Sequence, residues 1–424
     1  MTLSQCTDVY RQIIHTHSKE DKIKNPWTKR SILPFKHTGL QLIERCHQLP
    51  VVKSACDSAT HLPFVRYEGN SCYKDTLLLS LFLRPPTFIQ KTILDRNVQD
   101  IPYTHPFLCG STRVQHIENV SSIQYAFRKL STYFQLFSLD KNQIMIHSMN
   151  RYLDPILKQY CPNQRIHEFT QQRQNDPETF AQLLFELFPL DKKDRGQIRR
   201  KTYYYNRTET QRRKGSVIDE DLEAIYILSN ESLSNHPSSL FEIDPDIYIT
   251  YQKTLIDEPP HGIPPTFLLK KDIVSLRKFP KLFFIKVQRA DYGSTHFLSK
   301  AVFPNLTLSK ASLHLFAIVC KLDRNIESGH YGGFIRCLDT WYFYDDLHPS
   351  HHLVKIGSFS TLFHHTQYAK IALTQSILLL YNHSKTILLK QQRSLISFLK
   401  KQIVSEQFSQ NTNGSLIPFP NRKS

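Results

Sequence analysis

The hydrophobic positions follow a helical period through the first half of the chain. Between residues 70 and 83 apolar side chains recur at helical spacing, and Arg84-Pro85-Pro86 ends the pattern because proline cannot continue a helix. The same spacing predicts helices over residues 123–137 and 177–188. The second of these has Asp176 as a suitable N-cap and a proline at its first helical position.

Strand patterns follow in the second half. Short apolar or alternating runs predict strands over residues 282–287 and 313–321, and a hairpin formed by residues 330–337 and 341–345. Residues 367–403 are predicted to form a helical tail, and roughly the last twenty residues are expected to be disordered. Helices first and a largely antiparallel sheet later is the order of an α+β fold.

Positive charge is concentrated in one segment. The 424 residues carry a formal net charge of +17, and residues 192–214 hold ten Lys/Arg, two acidic residues and three consecutive tyrosines. We expect residues 191–215 to interrupt regular structure and residues 216–265 to be rich in loops. Aromatic rings among arginines can bind single-stranded nucleic acid. An exposed insertion loop, or a segment that docks an acidic partner, is the alternative.

The eight cysteines include no CxxC pair, which argues against a zinc ribbon, and their low density argues against a disulfide framework. We therefore expect a reduced protein without metal or other cofactor, in the cytoplasm or nucleus, or in host cytoplasm if the source is a virus or bacterium. The histidines of residues 348–352 and 364–365 are interpreted as loop residues. The sequence shows no secretory signal and no apolar run long enough to span a bilayer.

Two distant segments carry candidate chemistry. Cys72 lies where a helix is predicted to begin, and a helix N-terminus favours a thiolate. His330 opens the predicted hairpin, whose second strand ends at Asp345, so the hairpin can bring the acid beside the imidazole. Cysteine, histidine and acid in this order are typical of papain-like thiol proteases. Taken singly, Cys72 could equally be a buried structural cysteine, and His330 a hydrogen-bonded histidine at a strand end.

Four segments in this order resemble the ubiquitin-specific protease family, and most of all its cylindromatosis-type branch. The resemblance covers roughly residues 64–347. The segments are 70–75 (NSCYKD), 176–185 (DPETFAQLLF), 279–289 (FPKLFFIKVQR), and 315–320 (LFAIVC) continuing through His330-Tyr331 to Trp341 and Asp345.

The resemblance implies a papain-like fold with a helical thumb, an antiparallel β palm and reduced fingers without a zinc ribbon. It implies ubiquitin or ubiquitinated proteins as partners, and cleavage of the bond after the C-terminal glycine of ubiquitin through a thioester. The implied roles are nucleophile for Cys72, general base and acid for His330, orientation of the imidazole for Asp345, an oxyanion donor for Asn70, and lining of the substrate channel for Gly329, Tyr331 and Gly332.

Several alternatives remain open within this resemblance. Tyr67 stands where many relatives have an asparagine that helps to stabilise the oxyanion. This departure raises the alternative of a catalytically inactive ubiquitin-binding scaffold, and a protease for another modifier such as SUMO is a second alternative. Asp346 competes with Asp345 as the acid, and is otherwise expected to be a polar support or a surface charge.

The domain organisation expected from these patterns has three parts. Residues 1–58 form an N-terminal extension, residues 59–362 form the catalytic domain with a basic insertion near 191–215, and residues 363–424 form a C-terminal helical extension with a disordered tail.

Overall fold

The structure is a computed structural model, and the residues that it describes fall into one compact unit spanning residues 1–385. None of the helices among these residues is both long and apolar enough to cross a membrane. The described residues are 3–16, 20–47, 62–101, 108–137, 145–146, 149–161, 164–170, 175–222, 225–228, 249–287, 305–308, 311–322, 329–348 and 353–383.

Helices dominate up to residue 187, and two more lie between residues 359 and 374. Short π and 3₁₀ turns occur at Gln90–Leu94, Val98–Asp100 and Lys192–Asp194. The α-helices are Leu3–Ile14 (α1), His37–His47 (α2), Cys72–Phe82 (α3), Thr87–Ile89 (α4), Arg113–Phe137 (α5), Met149–Tyr160 (α6), Gln164–Thr170 (α7), Pro177–Leu187 (α8), Phe359–His364 (α9) and Thr366–Thr374 (α10).

Strands dominate from residue 196 onward. They are Ile23–Lys24 (β1), Ser31–Ile32 (β2), Phe64–Val65 (β3), Met145–Ile146 (β4), Gly196–Tyr205 (β5), Arg212–Leu222 (β6), Ile225–Leu228 (β7), Ile249–Leu255 (β8), Leu269–Lys278 (β9), Leu282–Val287 (β10), Asn305–Leu308 (β11), Ala311–Lys321 (β12), Tyr331–Cys337 (β13), Thr340–Tyr344 (β14), Val354–Gly357 (β15) and Ser376–His383 (β16).

The predicted helices are confirmed, with one change of boundary. Every residue of α3 is buried, so this helix has no solvent-exposed face and lies inside the core. The side chain of Asp176 accepts a hydrogen bond from the backbone N–H of Thr179 at 2.8 Å, as expected of an N-cap for α8. Helix α5 begins at Arg113, ten residues before the predicted start.

The main sheet places the predicted hairpin next to the strands that pack on α3. Its order is β15-β14-β13-β12-β16-β10-β7, with β11 beside β12. All of these pairs are antiparallel except β10 with β7. The hairpin joins β13 and β14 in the register Gly333↔Tyr344 to Cys337↔Thr340, which returns residue 345 to the start of β13.

Side chains alternate between the two faces of this sheet, and each face has its own core. Ile335 and Tyr342 belong to the cluster that includes α3, α5 and α8. Phe334 and Phe343 belong to the opposite cluster, to which α9 and α10 contribute. The mixed architecture of thumb helices and an antiparallel sheet agrees with the predicted α+β fold.

The expectation for the basic segment is wrong. Residues 196–205 and 212–222 are paired antiparallel strands of a second sheet with the order β6-β5-β9-β8. Strand β8 lies within the region expected to be loops. The sequence pattern is misleading here because edge and solvent-facing strands carry polar side chains at most positions, which removes the alternation that identifies a strand.

The helical tail predicted over residues 367–403 is wrong from residue 376 onward within the described part. Helix α10 ends at Thr374, and β16 then runs through the middle of the main sheet between β12 and β10. A short apolar run does not distinguish a buried strand from a buried helix. Residues beyond 383, including the expected disordered tail, lie outside the described residues. The domain boundaries near residues 58 and 362 stay predictions.

The expectation that the cysteines stay reduced is also wrong in this structure. Cys6 pairs with Cys46, and Cys109 pairs with Cys161, with Cα atoms 5.5 and 4.1 Å apart. Cys337 is disulfide-bonded as well, whereas Cys72 and Cys320 are free thiols. Sequence spacing could not reveal these pairs because they form between elements 40 and 52 residues apart. The expected location in the cytoplasm or nucleus stays a prediction.

Candidate active site

Cys72 is the first residue of α3, and a strained turn brings the chain to it. Gly69 and Asn70 both have a positive φ, of 50° and 58°. Glycine and asparagine are the residues that best tolerate this left-handed conformation. The two consecutive left-handed residues turn the backbone sharply just before the helix starts.

Asn150, near the start of α6, holds this turn in place. Its side-chain N–H groups donate to the backbone carbonyls of Glu68 and Gly69 at 2.8 and 2.9 Å. The neighbouring Arg151 forms an ion pair with the carboxylate of Glu68 at 2.6 Å. Nothing in the sequence pattern pointed to Asn150, because it belongs to none of the family-like segments.

A second contact fixes α6 against the nucleophile helix. Lys74 is buried and donates from Nζ to Asp154 Oδ1 at 2.5 Å and to the Phe169 carbonyl at 2.7 Å. Burial lowers the pKa of Lys74 and raises the pKa of Asp154, while each partner's charge opposes that shift. Desolvation therefore offsets much of the attraction in this pair, whose main effect is to fix the geometry of the two helices.

The start of β13 passes directly over Cys72. The thiol Sγ lies 3.9 Å from the Gly329 carbonyl oxygen, and the hydroxyl of Thr76 on α3 donates to the Tyr331 carbonyl at 3.4 Å. These contacts bracket His330, so the sequence-predicted nucleophile and base are brought to adjacent segments although 258 positions separate them.

The imidazole of His330 is held by the end of the hairpin. Its Nε2 lies 2.7 Å from Asp345 Oδ1 and 3.4 Å from Asp346 Oδ1. The backbone N–H of Leu347 also donates to Asp345 Oδ1 at 3.0 Å, which fixes that carboxylate. Because Nε2 is taken up by the acids, Nδ1 is the ring nitrogen that remains for a thiol proton.

Asp346 is not the surface charge that was one alternative for it. Its side chain is fully buried beside the imidazole. Burial, followed by the nearby carboxylates of Asp75 and Asp345, raises the pKa of Asp346 to about 9. The raised pKa favours the neutral form of Asp346 at pH 7, and the two adjacent acids have different environments.

Burial is also the main influence on the pKa of the Cys72 thiol. Cys72 is only 2% exposed, and burial raises its pKa to about 12, with a further rise from Asp346. Backbone N–H groups of Tyr331 and Tyr73 act in the opposite direction. The expected preformed thiolate is thus not favoured at this buried position, and the thiol must lose its proton to a base as it reacts.

Tyr67 lies in the site rather than beside it. Its hydroxyl accepts a hydrogen bond from the Asn70 backbone N–H at 3.2 Å and donates to Asn70 Oδ1 at 3.4 Å. Its ring meets the His330 ring edge-on, with centroids 6.4 Å apart. The tyrosine that departs from the family pattern therefore links the proposed oxyanion residue with the proposed base.

The protein's own packing accounts for the glycines of β13. A Cβ at Gly332 would lie 2.6 Å from the side chain of Leu322 and from the Tyr344 carbonyl oxygen. A Cβ at Gly333 would collide with the Ile318 carbonyl of β12. The predicted approach of substrate to Gly332 stays a prediction, as do the channel roles of Gly329 and Tyr331.

One group of side chains is close enough to be considered for a metal ion. Ligand atoms of His330, Asp345 and Asp346 lie within 4.8 Å of one another. The hydrogen bond to Asp345 and the buried, neutral Asp346 instead fit a set that orients an imidazole. Nothing in this arrangement requires a cation.

The family follows from a comparison over most of the chain. A family model described as ubiquitin carboxyl-terminal hydrolase matches residues 66–381. The chain belongs to this family. The match includes Cys72, His330 and Asp345, and it extends into β16, beyond the boundary expected at 362. The fold is accordingly the mixed helical and antiparallel-sheet fold of the ubiquitin-specific protease type.

No match was found among curated proteins. A similar solved structure is the SAGA DUB module of Ubp8, Sgf11, Sus1 and Sgf73 bound to monoubiquitin. That chain has 12% identity and a TM-score of 0.47, and the similarity covers 91% of this chain and 96% of that one.

Proposed function

We propose that the protein is a cysteine-dependent deubiquitinase of the ubiquitin-specific protease type. The arrangement of three side chains carries the proposal. Cys72 begins a buried helix and contacts the segment that presents His330, and the imidazole of His330 is hydrogen-bonded to Asp345. The family match over residues 66–381 supports ubiquitin as the modifier that is cleaved.

The reaction has two steps. Cys72 Sγ attacks the carbonyl carbon of the C-terminal glycine of ubiquitin while Nδ1 of His330 takes the thiol proton. The C–N bond breaks, the leaving amine receives that proton, and a thioester remains on Cys72. Water then attacks the thioester, His330 takes its proton, and ubiquitin leaves as a free carboxylic acid with the thiol restored.

Asp345 has a positioning role in this scheme. Its bond to Nε2 fixes the tautomer and orientation of the ring, and it stabilises the imidazolium that forms during attack. Because burial raises the pKa of the Cys72 thiol, proton transfer to His330 accompanies attack on the substrate carbonyl rather than preceding it.

The oxyanion is the remaining charge to be stabilised. We assign this role to the Asn70 side chain and the backbone N–H of Cys72, which lies in the first turn of α3, where helix N–H groups have no partner within the helix. Tyr67 positions Asn70 through the two hydrogen bonds described above.

The assignment to a branch of the family rests on the family-like sequence segments. We propose the cylindromatosis-type branch, on the resemblance of residues 70–75 and 279–289 to that branch. The location in the cytoplasm or nucleus stays a prediction. A SUMO protease would use the same three side chains, so substrate turnover and not geometry distinguishes the two activities.

The test is cleavage of a ubiquitin–lysine isopeptide by the full chain, comparing Cys72→Ala and His330→Ala with the matched control Cys320→Ala. Cys320 is, like Cys72, a described cysteine outside any disulfide. We expect loss of cleavage in the first two variants and retention in the third. Cleavage of a SUMO conjugate alone would replace ubiquitin as the substrate. A folded wild-type protein that cleaves neither conjugate would contradict the proposal.

A further inference from the structure

The two faces of the sheet β6-β5-β9-β8 differ in exposure. On one face Thr202, Tyr204, Val274 and Leu276 are buried. Side chains alternate along a strand, so the intervening residues of β5 and β9 lie on the other face, and none of these is buried. This second face is therefore the one that solvent reaches.

The strand register gathers positive charge and aromatic rings on this exposed face. Tyr203 pairs with Lys214 on one side and Lys271 on the other, and Tyr205 pairs with Arg212. Lys201 precedes Tyr203 by one side-chain repeat on the same strand. We call this surface the basic face, consisting of Lys201, Tyr203, Tyr205, Arg212, Lys214 and Lys271.

The residues next to the basic face on β5 and β6 are charge-paired. Toward the start of β5, Arg199 and Arg200 form bidentate ion pairs with Asp219 and Glu220 across the strands. Asp219 lies on the same side of the sheet as Lys201, one side-chain repeat beyond Val217, and is paired there with Arg199. Asp272 lies on the buried side, so no acidic residue of β5, β6 or β9 stands among the six residues of the basic face. The basic face is complementary to a polyanion.

The aromatic rings indicate which polyanion. Arg212 lies over the Tyr203 ring at 4.9 Å from its centroid, which orders both side chains on the surface. Tyr203 and Tyr205 are both partly exposed and stand two residues apart on one strand. Rings at this spacing can stack on unpaired bases while neighbouring cations contact phosphates. An acidic peptide would use the cations but not the rings.

We propose that the basic face binds single-stranded nucleic acid without strong sequence preference. Lys201, Arg212 and Lys214 contact phosphates, and Tyr203 and Tyr205 stack on bases. This function is separate from the proposed cleavage of ubiquitin conjugates and does not depend on it. The strongly positive segment noted in the sequence is thus organised by the sheet into one surface.

Fluorescence anisotropy with labelled oligouridine and oligothymidine of about twelve nucleotides tests the proposal on the full chain. Three phosphate contacts predict that raising the salt concentration from about 50 to about 150 mM increases the dissociation constant roughly tenfold. Each contact contributes about −0.7 to the slope of the logarithm of the binding constant against the logarithm of the salt concentration. Binding that is absent at low salt, or that does not change with salt, would overturn the proposal.

Variants distinguish binding at the basic face from non-specific attraction to the net positive charge of the protein. Lys214→Gln is expected to weaken binding severalfold, while the matched control Arg213→Gln, exposed on the opposite face of the same strand, leaves it nearly unchanged. Tyr203→Leu should weaken binding about fivefold or more through lost stacking. Thermal melting verifies that each variant is folded.

Two outcomes would contradict the proposal in different ways. Equal losses for Lys214→Gln and Arg213→Gln would show that only net charge matters. Equally tight binding of a polyglutamate peptide, with no effect of Tyr203→Leu on either ligand, would assign the basic face to an acidic protein segment instead. Neither outcome bears on isopeptide cleavage, which is measured separately.

Discussion

At the scale of single residues, the site depends on contacts that surround the three reactive groups. The hydroxyl of Tyr67 contacts Asn70 and its ring contacts His330, so the two parts of this side chain position different residues. Asp346 lies buried beside the imidazole of His330, and burial raises its pKa. Neither role is visible from sequence, because a departure from a family pattern and a pair of adjacent acids do not reveal burial or contacts.

Removing the hydroxyl of Tyr67 tests its role in positioning Asn70. Tyr67→Phe keeps the ring against His330 but loses hydrogen bonds worth about 1 kcal/mol. We expect kcat to fall roughly fivefold with little change in KM, since the oxyanion forms only in the transition state. Steady-state cleavage of a ubiquitin conjugate measures this, and a change confined to KM would assign Tyr67 to substrate binding.

Asp346 should make stability depend on pH. Its pKa is raised from an ordinary value near 3.8 to about 9, so the folded state binds a proton that the unfolded state releases between these values. The contribution to the free energy of unfolding is therefore present at low pH and is lost as pH rises toward about 9. Asp346→Asn lacks this dependence.

We expect Asp346→Asn to gain stability relative to wild type as pH rises from about 5 to about 9. Urea unfolding at several pH values measures the difference, with Asp339→Asn as control because Asp339 is exposed in the β13–β14 turn. A difference between Asp346→Asn and wild type that stays constant with pH would exclude a raised pKa for Asp346.

At the scale of elements, α6 braces the nucleophile segment at two points. Its first turn reaches the carbonyls before Cys72 through Asn150, and its middle reaches Lys74 on α3 through Asp154. The disulfide Cys109–Cys161 fastens the chain directly after α6. The position of Cys72 therefore depends on a helix that the family-like segments do not include.

Asn150→Asp isolates this brace, because aspartate has the same shape but cannot donate to the carbonyls of Glu68 and Gly69. We expect a fall in kcat of about tenfold or more from the loss of two hydrogen bonds. Asn119→Asp is the matched control, since Asn119 also donates to a backbone carbonyl, that of Cys109. Similar losses in both variants would indicate a general effect on folding instead.

Elements with strong patterns were predicted from sequence, and elements that depend on partners were not. Helix α3 and the β13–β14 hairpin follow from apolar periodicity and were placed within one or two residues. Strand β16 was predicted as a helix because its apolar run is short, and only pairing with β12 and β10 makes it a strand. The proposed catalytic residues Cys72, His330 and Asp345 were identified because their segments resemble a family. Asn150 lies outside those segments, so the sequence gives no indication of its role.

At the scale of the whole molecule, disulfides connect elements that lie outside the catalytic centre. Cys6–Cys46 joins α1 to α2, and these helices share a small core with Tyr125 of α5. Lys129 of α5 also donates to the Thr16 carbonyl at 2.6 Å. The N-terminal helices are thus packed on α5 and form part of the same compact unit.

Loss of the Cys6–Cys46 link should lower the free energy of unfolding by about 2–4 kcal/mol, because it closes a loop of 40 residues in the unfolded chain. The double variant Cys6→Ser/Cys46→Ser, compared with wild type by denaturant unfolding without reductant, measures this. Cys320→Ser is the control for loss of a buried thiol. Equal stability of wild type and the double variant, together with free thiols at both positions by peptide mapping, would contradict the pairing.

The proposed function depends on Cys72 being the group that ubiquitin acylates. The most direct measurement is the intact mass of the protein after reaction with ubiquitin bearing a C-terminal electrophile, followed by peptide mapping of the adduct. We predict one adduct, at Cys72, that persists in Cys320→Ser and disappears in Cys72→Ser. An adduct at Cys320, or no adduct with folded wild-type protein, would contradict the assignment of the nucleophile.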